Sequence, residues 1–353
     1  MTRRLRIPFT APFSPPIIFP SSANTLSGAI DAITAFLSAP PSPLLRGTDV
    51  GLNAQTVLLT GAGISVASGL SDYRGENGTY RRNASYRPIY FHEFVTIHEA
   101  RKRYWARSFV GYPTLRDSGP NSTHFCIAEL GRKGYISSVI TQNVDSFHNV
   151  AHPDLPVLEL HGYLRSIVCV NCRHMMSRES FQESLLRLNP AWSEFLARVM
   201  ESGALKTDVS EEQRQKGLRV NPDGDVEIPG AHYSDFRYPP CPRAGILKPA
   251  VVMFGESVDE ATKTAAEEAI DEAGKLLVMG SSLATFSAWR LVERAQNRGM
   301  SIGILNVGGV RNEASLFKEG NEHFWPMARL RCSEKTELVL PEVVSRLEQL
   351  GFR

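Results

Sequence analysis

The chain has 353 residues, enough for one large domain or for one with a smaller module inserted. Apolar residues make up 42% and charged residues 22%, and the net charge is +2. That is a globular balance with no electrostatic case for nucleic acid, and no apolar run approaches the length of a membrane-spanning helix.

Along the chain, Arg3, Arg4 and Arg6 open a stretch of thirty residues that contains no acidic side chain. That is the composition of a mitochondrial presequence. Pro8, Pro12, Pro15, Pro16 and Pro20 would break an amphipathic helix there, so residues 1–24 read equally as a disordered tail. Leu26, Ile30, Ile33 and Leu37 recur at helical spacing and predict a helix over 25–38, ended by Pro40, Pro41 and Pro43. Thr56-Val57-Leu58-Leu59-Thr60 reads as a buried parallel strand running into Gly61-Ala62-Gly63. Three further strands run into small or polar loops. Ser138–Ile140 leads to Thr141-Gln142-Asn143-Val144-Asp145, Leu276–Met279 to Gly280-Ser281-Ser282, and Ile302–Leu305 to Asn306-Val307-Gly308-Gly309. Such strands with helices between them predict a doubly wound α/β sheet whose ligands bind at the strands' carboxyl ends.

Two stretches break this rhythm and read as inserted modules. Residues 75–125 are rich in Arg, Tyr and His, with a helix predicted across Glu99–Arg107. Residues 165–247 begin with Cys169-x-x-Cys172 and contain Cys241. Phe181, Leu185, Leu188, Phe195 and Val199 form a helical apolar pattern interrupted at Pro190, read as packing inside this insert. Five cysteines in so long a chain argue against a secreted disulfide scaffold, and the C-x-x-C pair points to metal or redox chemistry in a reducing compartment. Cys126 and Cys332 stand alone and read as buried free thiols.

Gly61-x-Gly63 after a strand begins a dinucleotide-binding turn, in which glycines let the backbone approach a pyrophosphate. Val66 replaces the third glycine of the usual fingerprint, so a plain tight turn stays open beside the nucleotide reading. His161 follows the apolar Val157-Leu158-Glu159-Leu160 and lies downstream of the Asn143–Asp145 loop, which makes it the favoured general base. His124, His148 and His152 are weaker candidates, with His148 expected on a helix.

The run from Thr60 through Gly61-Ala62-Gly63-Ile64-Ser65 to Asp72-Tyr73-Arg74-Gly75 closely resembles the sirtuin signature. Four other segments are similar to sirtuin motifs, in family order, over roughly residues 55 to 335. They are Thr141–Asp145, Leu160-His161-Gly162, the stretch from Lys248-Pro249 to Glu256, and Gly280–Leu283 with Asn306. Arg87-Pro88-Ile89, Arg103–Gly111 and Asn221-Pro222-Asp223-Gly224-Asp225-Val226 resemble the class II, mitochondrial type, the sirtuin-4-like branch.

The resemblance implies a Rossmann-like sheet domain (25–74, 126–164 and 248–353) with a helical module (75–125) and a small zinc-ribbon-like module (165–247). It implies an NAD-dependent protein lysine deacylase that transfers the acyl group to ADP-ribose and releases nicotinamide. NAD would be held by Gly61, Ala62, Gly63, Ser65, Asp72, Tyr73, Arg74, Gln142, Asn143, Asp145, Gly280, Ser281, Ser282, Asn306, Val307 and Cys332. Asn143 and Asp145 would orient the ribose, and His161 would act as base on its hydroxyl. Val252, Phe254 and Gly255 would pair with the backbone of an acylated-lysine protein. Neither nucleic acid nor membrane is an expected partner, and the expected location is the mitochondrial matrix, with cytoplasm or nucleus as alternatives. Zinc would be held by Cys169, Cys172 and Cys241, but Ala244 stands where the family has a fourth cysteine. His174 and His232 are the nearest spare ligands in sequence. Mono-ADP-ribosyl transfer to protein is the rival reaction, and a catalytically weak NAD-binding regulatory protein the rival of another class. The acyl chain stays open among short, acidic and lipoyl-like groups.

Overall fold

The structure, a computed structural model, describes residues 9–45, 55–83, 86–205, 218–228, 230–317 and 329–351. Arg3, Arg4 and Arg6, on which the expected leader rests, lie outside the described residues. The first helix, α1 (Leu26–Ser38), starts where the Thr25 hydroxyl accepts a hydrogen bond from the Gly28 N–H. Of its expected apolar stripe, Ile30, Ile33 and Leu37 are buried together with Phe36, whereas Leu26 at the first turn is exposed. The chain then enters strand β1 (Thr56–Thr60), buried at every position. Four helices follow: α2 (Thr79–Arg82), α3 (Phe91–Thr96), α4 (His98–Asp117) and α5 (Ser122–Arg132). Next come β2 (Ile136–Thr141), α6 (Phe147–Ala151) and β3 (Val157–Glu159).

The following segment holds β4 (Gly162–Cys169), β5 (Met175–Ser177), α7 (Arg178–Leu188), α8 (Pro190–Glu201), β6 (Arg219–Val220), β7 (Val226–Glu227) and β8 (Leu247–Val251). The chain ends with α9 (Glu260–Glu272), β9 (Lys275–Met279), α10 (Phe286–Asn297), β10 (Ser301–Leu305), α11 (Glu313–Leu316), β11 (Arg329–Cys332) and α12 (Thr336–Gln349). Pro190 occupies the first turn of α8, where its missing N–H costs nothing, so it begins a helix rather than interrupting one.

The main sheet is all parallel, in the order β11-β10-β9-β1-β2-β3. This is the expected doubly wound, Rossmann-like α/β sheet. From β1 the chain builds outward to β2 and β3 on one side, and later to β9, β10 and β11 on the other. The order therefore switches between β1 and β9, and the crevice outside their carboxyl ends is where such a sheet binds ligands. Alternation along the strands splits the core into two layers. Leu58, Val139 and Leu277 face α1, α5 and α12, whereas Val57, Leu59, Leu276 and Val278 face α9 and α10. A third core joins α4, α7 and α8 to β4 and β8, with the Trp105 and Phe181 rings 4.5 Å apart. Leu185 and Val199 are buried there too, whereas Leu188 is exposed. Of the two lone thiols, Cys332 is buried in the first core and Cys126 is half-buried.

Two buried features had no signal in sequence. Lys275 opens β9 with its ammonium donating to the carbonyls of Phe36 (3.0 Å), Leu37 (2.7 Å) and Ala39 (2.7 Å). It thereby satisfies the C-terminal carbonyls of α1, and burial pushes its pKa down to about 8. Behind the end of β1, His148 lies 3.0 Å from the Thr60 hydroxyl and 2.8 Å from His152, with the His124 ring centroid 5.0 Å away.

All three histidines are buried, and burial lowers their pKa values, His124 to about 4. The folded chain therefore holds neutral rings that the unfolded chain would protonate below the ordinary value of 6.5. Stability from these groups is complete above pH 6.5 and is lost as pH falls toward the folded-state values, with His124 alone contributing up to about 3 kcal/mol. The melting temperature is expected to drop between pH 7 and pH 5, and His124→Gln to flatten that drop. A melting curve indifferent to pH over this range in the wild type would contradict neutral buried histidines.

Candidate active site

The site begins at the switch point. The Gly61 N–H donates to the Met279 carbonyl (3.1 Å) and the Gly63 N–H to that of Gly280 (2.9 Å). A Cβ on Gly63 would stand 2.8 Å from the Gly280 Cα, and one on Gly280 would stand 2.5 Å from the Ile64 nitrogen. Gly280 also has φ +60°. The loops leaving β1 and β9 thus touch backbone to backbone, which only glycine permits. Val66 replaces the third fingerprint glycine without cost, because Ala62–Ser68 is a short 3₁₀ segment on which Val66 is 46% exposed.

Beside this contact, the loop after β2 supplies a polar chain. The Asn143 side-chain amide donates to the Gly61 carbonyl (3.2 Å) and to the Ser65 hydroxyl (3.1 Å). Ser65 donates in turn to Asp145 Oδ2 (2.7 Å), while Asp145 Oδ1 accepts the Phe147 N–H (3.0 Å). Burial raises the Asp145 pKa, opposed by these two hydrogen bonds. Gln142 bridges the sheet ends. Its Nε2 donates to the Thr60 carbonyl (3.1 Å) and the Ser281 hydroxyl (2.7 Å), and its Oε1 accepts from Thr285 (3.1 Å).

His161 stands between β3 and β4. Its Nδ1 is 3.1 Å from the Gln142 carbonyl, which can only accept, so Nδ1 carries the proton. Nε2 is left as an acceptor and receives the Ser287 hydroxyl at 2.8 Å. Burial lowers the His161 pKa to about 4. The ring is therefore neutral at physiological pH, with its basic nitrogen in the cleft. Ser287 and Thr285, at the start of α10, had no signal in sequence, because only the fold brings them to β3 and β2.

His161, Asn143, Asp145 and Gln142 line one cavity of about 740 Å³, together with Ala62, Ser65, Tyr73, Arg74, Val252, Phe254 and Gly255. That size, with several convergent amide and hydroxyl groups at a switch point, suits a nucleotide and part of a second ligand. Asp72 lies behind this wall. It accepts the Gly75 N–H (2.9 Å) and holds the loop from which Tyr73 stacks on Tyr80 and meets Phe254 edge-on. Arg74 lies over the Tyr80 ring, 4.9 Å from its centroid, and donates to the Phe9 carbonyl (2.8 Å). The Val252 N–H is taken by the His161 carbonyl (2.8 Å), and the Phe254 carbonyl by the Phe91 N–H (2.9 Å). Only the remaining backbone groups of that segment are available to an added strand.

The other expected cofactor residues lie along the same sheet edge, outside that cavity. Ser282 gives its carbonyl to the Arg311 N–H (2.9 Å). Asn306 follows β10, with its side chain donating to the carbonyls of Val307 (3.1 Å) and Gly308 (3.3 Å), and Val307 is exposed. The Cys332 thiol points into the core, and burial pushes its pKa up to about 12. Its position therefore offers backbone rather than sulfur to a ligand. What shapes this end is a residue pair the sequence did not reveal. Arg331 is fully buried, pairs with Glu313 at 2.7 Å, and donates to the carbonyls of Asn306, Cys332 and Gly308.

The sulfur atoms of Cys169, Cys172 and Cys241 lie within 4.8 Å of one another. Neither His174 nor His232 belongs to this group, and among the described residues no fourth ligand joins it. The two turns around it differ in length. In the first, the Cys169 N–H reaches the carbonyl of His174, and the residue after Cys172, Arg173, is left-handed at φ +59°. In the second, the Cys241 N–H reaches the carbonyl of Gly245, and Ala244 is left-handed at φ +57°. Ala244 thus matches Arg173 rather than Cys172, and the second turn is one residue short. A Cβ on Gly245 would come within 2.3 Å of the Cys169 sulfur, so the tightened backbone closes on the cluster. The residues present fit three of the four ligands of a structural zinc site.

The sequence pattern of the Sir2 family matches residues 61–287. An NAD-dependent protein deacylase SIR4 of Batrachochytrium dendrobatidis is 42% identical over 300 residues, covering 84% of this chain and 90% of that one. The NAD-dependent protein deacylase Sirt4 of Drosophila melanogaster is 38% identical over 257 residues, covering 72% and 75%. A solved Sir2 with peptide and NAD+ superposes with a TM-score of 0.54 at 25% identity, over 84% of this chain and 93% of that chain. The glycine contact at the switch point, the polar loop after β2 and these likenesses agree, and the chain belongs to the Sir2 family, the sirtuins, in a sirtuin-4-like branch.

Proposed function

We propose that this chain is an NAD-dependent protein lysine deacylase that transfers the acyl group to ADP-ribose and releases nicotinamide. The observation that carries the reading is a neutral His161, its Nε2 open to a proton, in one cleft with the Ser65–Asn143–Asp145 chain. Relatives named as NAD-dependent deacylases support it, as does a solved Sir2 bound to acetylated peptide.

NAD, when bound, would supply the ADP-ribose acceptor for the acyl group, with nicotinamide as the leaving group. The protein's part is positioning and proton transfer. The glycine contact would let the backbone of the two loops approach the phosphates closely. Asn143 and Asp145, locked to each other through Ser65, hold the nicotinamide ribose. The Gln142 carbonyl fixes the His161 tautomer, so that Nε2 accepts the proton of a ribose hydroxyl once Ser287 yields its place. Tyr73 and Phe254 cover the reacting centre and exclude water.

The arginine-rich, acid-free N-terminus supports delivery to the mitochondrial matrix. Cys169, Cys172 and Cys241 would hold a structural zinc with one position left to an exogenous ligand, remote from the reaction.

His161→Ala is expected to lower turnover by roughly 10²–10⁴-fold, with NAD affinity largely kept. Because burial holds the ring near pKa 4, the acid limb of kcat/KM in the wild type is expected below pH 6. Nicotinamide release from acetylated peptide, measured across pH, checks both points. A mutant as fast as wild type, or a limb at 6.5, would remove His161 as the neutral base. Acyl-ADP-ribose as product separates deacylation from ADP-ribosyl transfer, which would leave a labelled protein instead.

Asn143→Ala is expected to abolish nicotinamide release and nicotinamide exchange together, because both need the oriented ribose. Exchange that survives while deacylation stops would move Asn143 to a later step.

For zinc, inserting a cysteine between Arg243 and Ala244 is expected to restore full, chelator-resistant stoichiometry by elemental analysis. Ala244→Cys is expected to do little, since its Cβ leaves a left-handed residue of a shortened turn. Full retention by Ala244→Cys alone would show that the second turn follows the longer path after all.

A further inference from the structure

One wall of the cavity is the segment from Val251 to Glu256, which leaves β8 beside His161. Most of its backbone groups are already engaged. The His161 carbonyl takes the Val252 N–H (2.8 Å), and the Phe91 N–H donates to the Phe254 carbonyl (2.9 Å). The Glu256 N–H donates to the Met253 carbonyl (2.9 Å). Side chains take two more groups. The Lys248 ammonium donates to the Val251 carbonyl (2.6 Å), and the Met253 N–H donates to Glu256 Oε2 (2.9 Å). Among the described residues, this leaves the Val252 carbonyl, the Phe254 N–H and both backbone groups of Gly255 open to a ligand.

Lys248 and Glu256 act as one device. Lys248 lies on β8 opposite Val168 of β4 and is only 5% exposed. Its ammonium also donates to the Pro249 carbonyl (3.2 Å) and pairs with Glu256 Oε2 at 3.2 Å. The oxygen that holds the Met253 N–H therefore meets the ammonium that holds the Val251 carbonyl, so the chain is gripped on both sides of Val252. Gly255, left-handed at φ +80°, completes the turn back to Glu256. Burial lowers the Lys248 pKa, and Glu256 opposes that shift. Removing either partner would leave a buried charge or buried carbonyls uncompensated. Among the described residues, neither side chain bonds to the Ser65–Asn143–Asp145 chain or to the switch-point glycines.

Building on the deacylase reading above, we propose that the Lys248–Glu256 pair positions the segment on which the acylated peptide docks. It holds the Val252 carbonyl and the Phe254 N–H open to the peptide backbone and takes no part in binding NAD. Lys248 lies outside the cavity and acts only through the carbonyls and the carboxylate it holds. Its loss frees the Val251 carbonyl and the Met253 N–H to turn, and the docking edge loses its fixed shape.

The test uses the lysine peptide, among acetylated, succinylated and lipoylated forms, that the wild type turns over fastest. Lys248→Met keeps the apolar stem of the side chain and removes the ammonium. At saturating NAD, its peptide KM is expected to rise about tenfold while kcat changes less than about threefold, as loss of uniform binding requires. NAD affinity, measured by calorimetry without peptide, is expected to stay within about twofold of wild type. Peptides N-methylated in turn at the acyl-lysine and at each neighbour read the docking itself, since each methyl removes one backbone donor. In the wild type at least one methyl is expected to raise KM about tenfold, and in Lys248→Met that penalty is expected to shrink below about threefold. Glu256→Gln, which keeps an oxygen acceptor for Met253, is expected to fall between the two. The double variant is expected to be no worse than Lys248→Met, and if Lys248→Met does not fold, Glu256→Gln carries the test. No N-methyl penalty in the wild type, a penalty unchanged in the variants, or NAD affinity that falls as far as peptide affinity overturns the assignment and leaves the deacylase reading intact. No nicotinamide release from any of the three peptides overturns the deacylase reading, and this assignment with it.

Discussion

The site depends on one steric constraint, the contact of two backbones at the switch point of the sheet. Gly63 and Gly280 leave β1 and β9 so close that a methyl group on either would overlap the other loop. This contact sets where the β1 turn ends, and therefore where the Gly61 carbonyl lies for Asn143 to reach. From Asn143 the order passes to Ser65 and Asp145, and through the Gln142 backbone to His161. Hydrogen bonds in such a chain polarise one another, so the geometry of the cleft follows from the backbone contact more than from any one side chain.

Around that centre, the protein surrounds functional loops with buried charge whose partners come from distant segments. Arg331 collects the carbonyls of the loop after β10 and is neutralised by Glu313, which also accepts the N–H of Ile17 (2.8 Å). Arg107 does the same for the β6–β7 hairpin through Asp225 and, at 3.6 Å, Glu227. Breaking a buried pair leaves an uncompensated charge, typically at a cost of about 3–5 kcal/mol, so these arrangements hold loops that hydrophobic packing alone would leave loose. The cysteine module is the contrasting case. Its first turn has the length that presents two sulfurs, and its second is a residue too short to present another.

Much of this protein is determined by local sequence. Apolar strands of four or five residues that end in glycine or polar loops specify a parallel sheet with its ligands at one edge. The glycine turn, the Thr141–Asp145 loop, His161 and the three cysteines were each legible, because the chemistry they carry needs those residue types in short, contiguous runs. Residue type also marked Ala244 as a departure, although not the nature of it. That required the hydrogen-bond register of the turn, which places Ala244 opposite Arg173.

Tertiary structure decided whatever depends on a partner far away in the chain. Ser287 meets His161 across 126 residues, and Lys275 caps a helix more than 230 residues before it. Neither residue type nor spacing announces such a meeting, since a serine at a helix start and a lysine at a strand start are ordinary. Protonation states belong to the same class. His161 is an imidazole of ordinary basicity in sequence, and burial in the folded cleft makes it a neutral base with a pKa of about 4. The hairpin Asn221–Val226 was visible as a motif, but its chemistry was not. Asp223 acquires its buried oxygen only where the fold inserts that tip into the cavity, because desolvation is a property of surroundings and not of sequence.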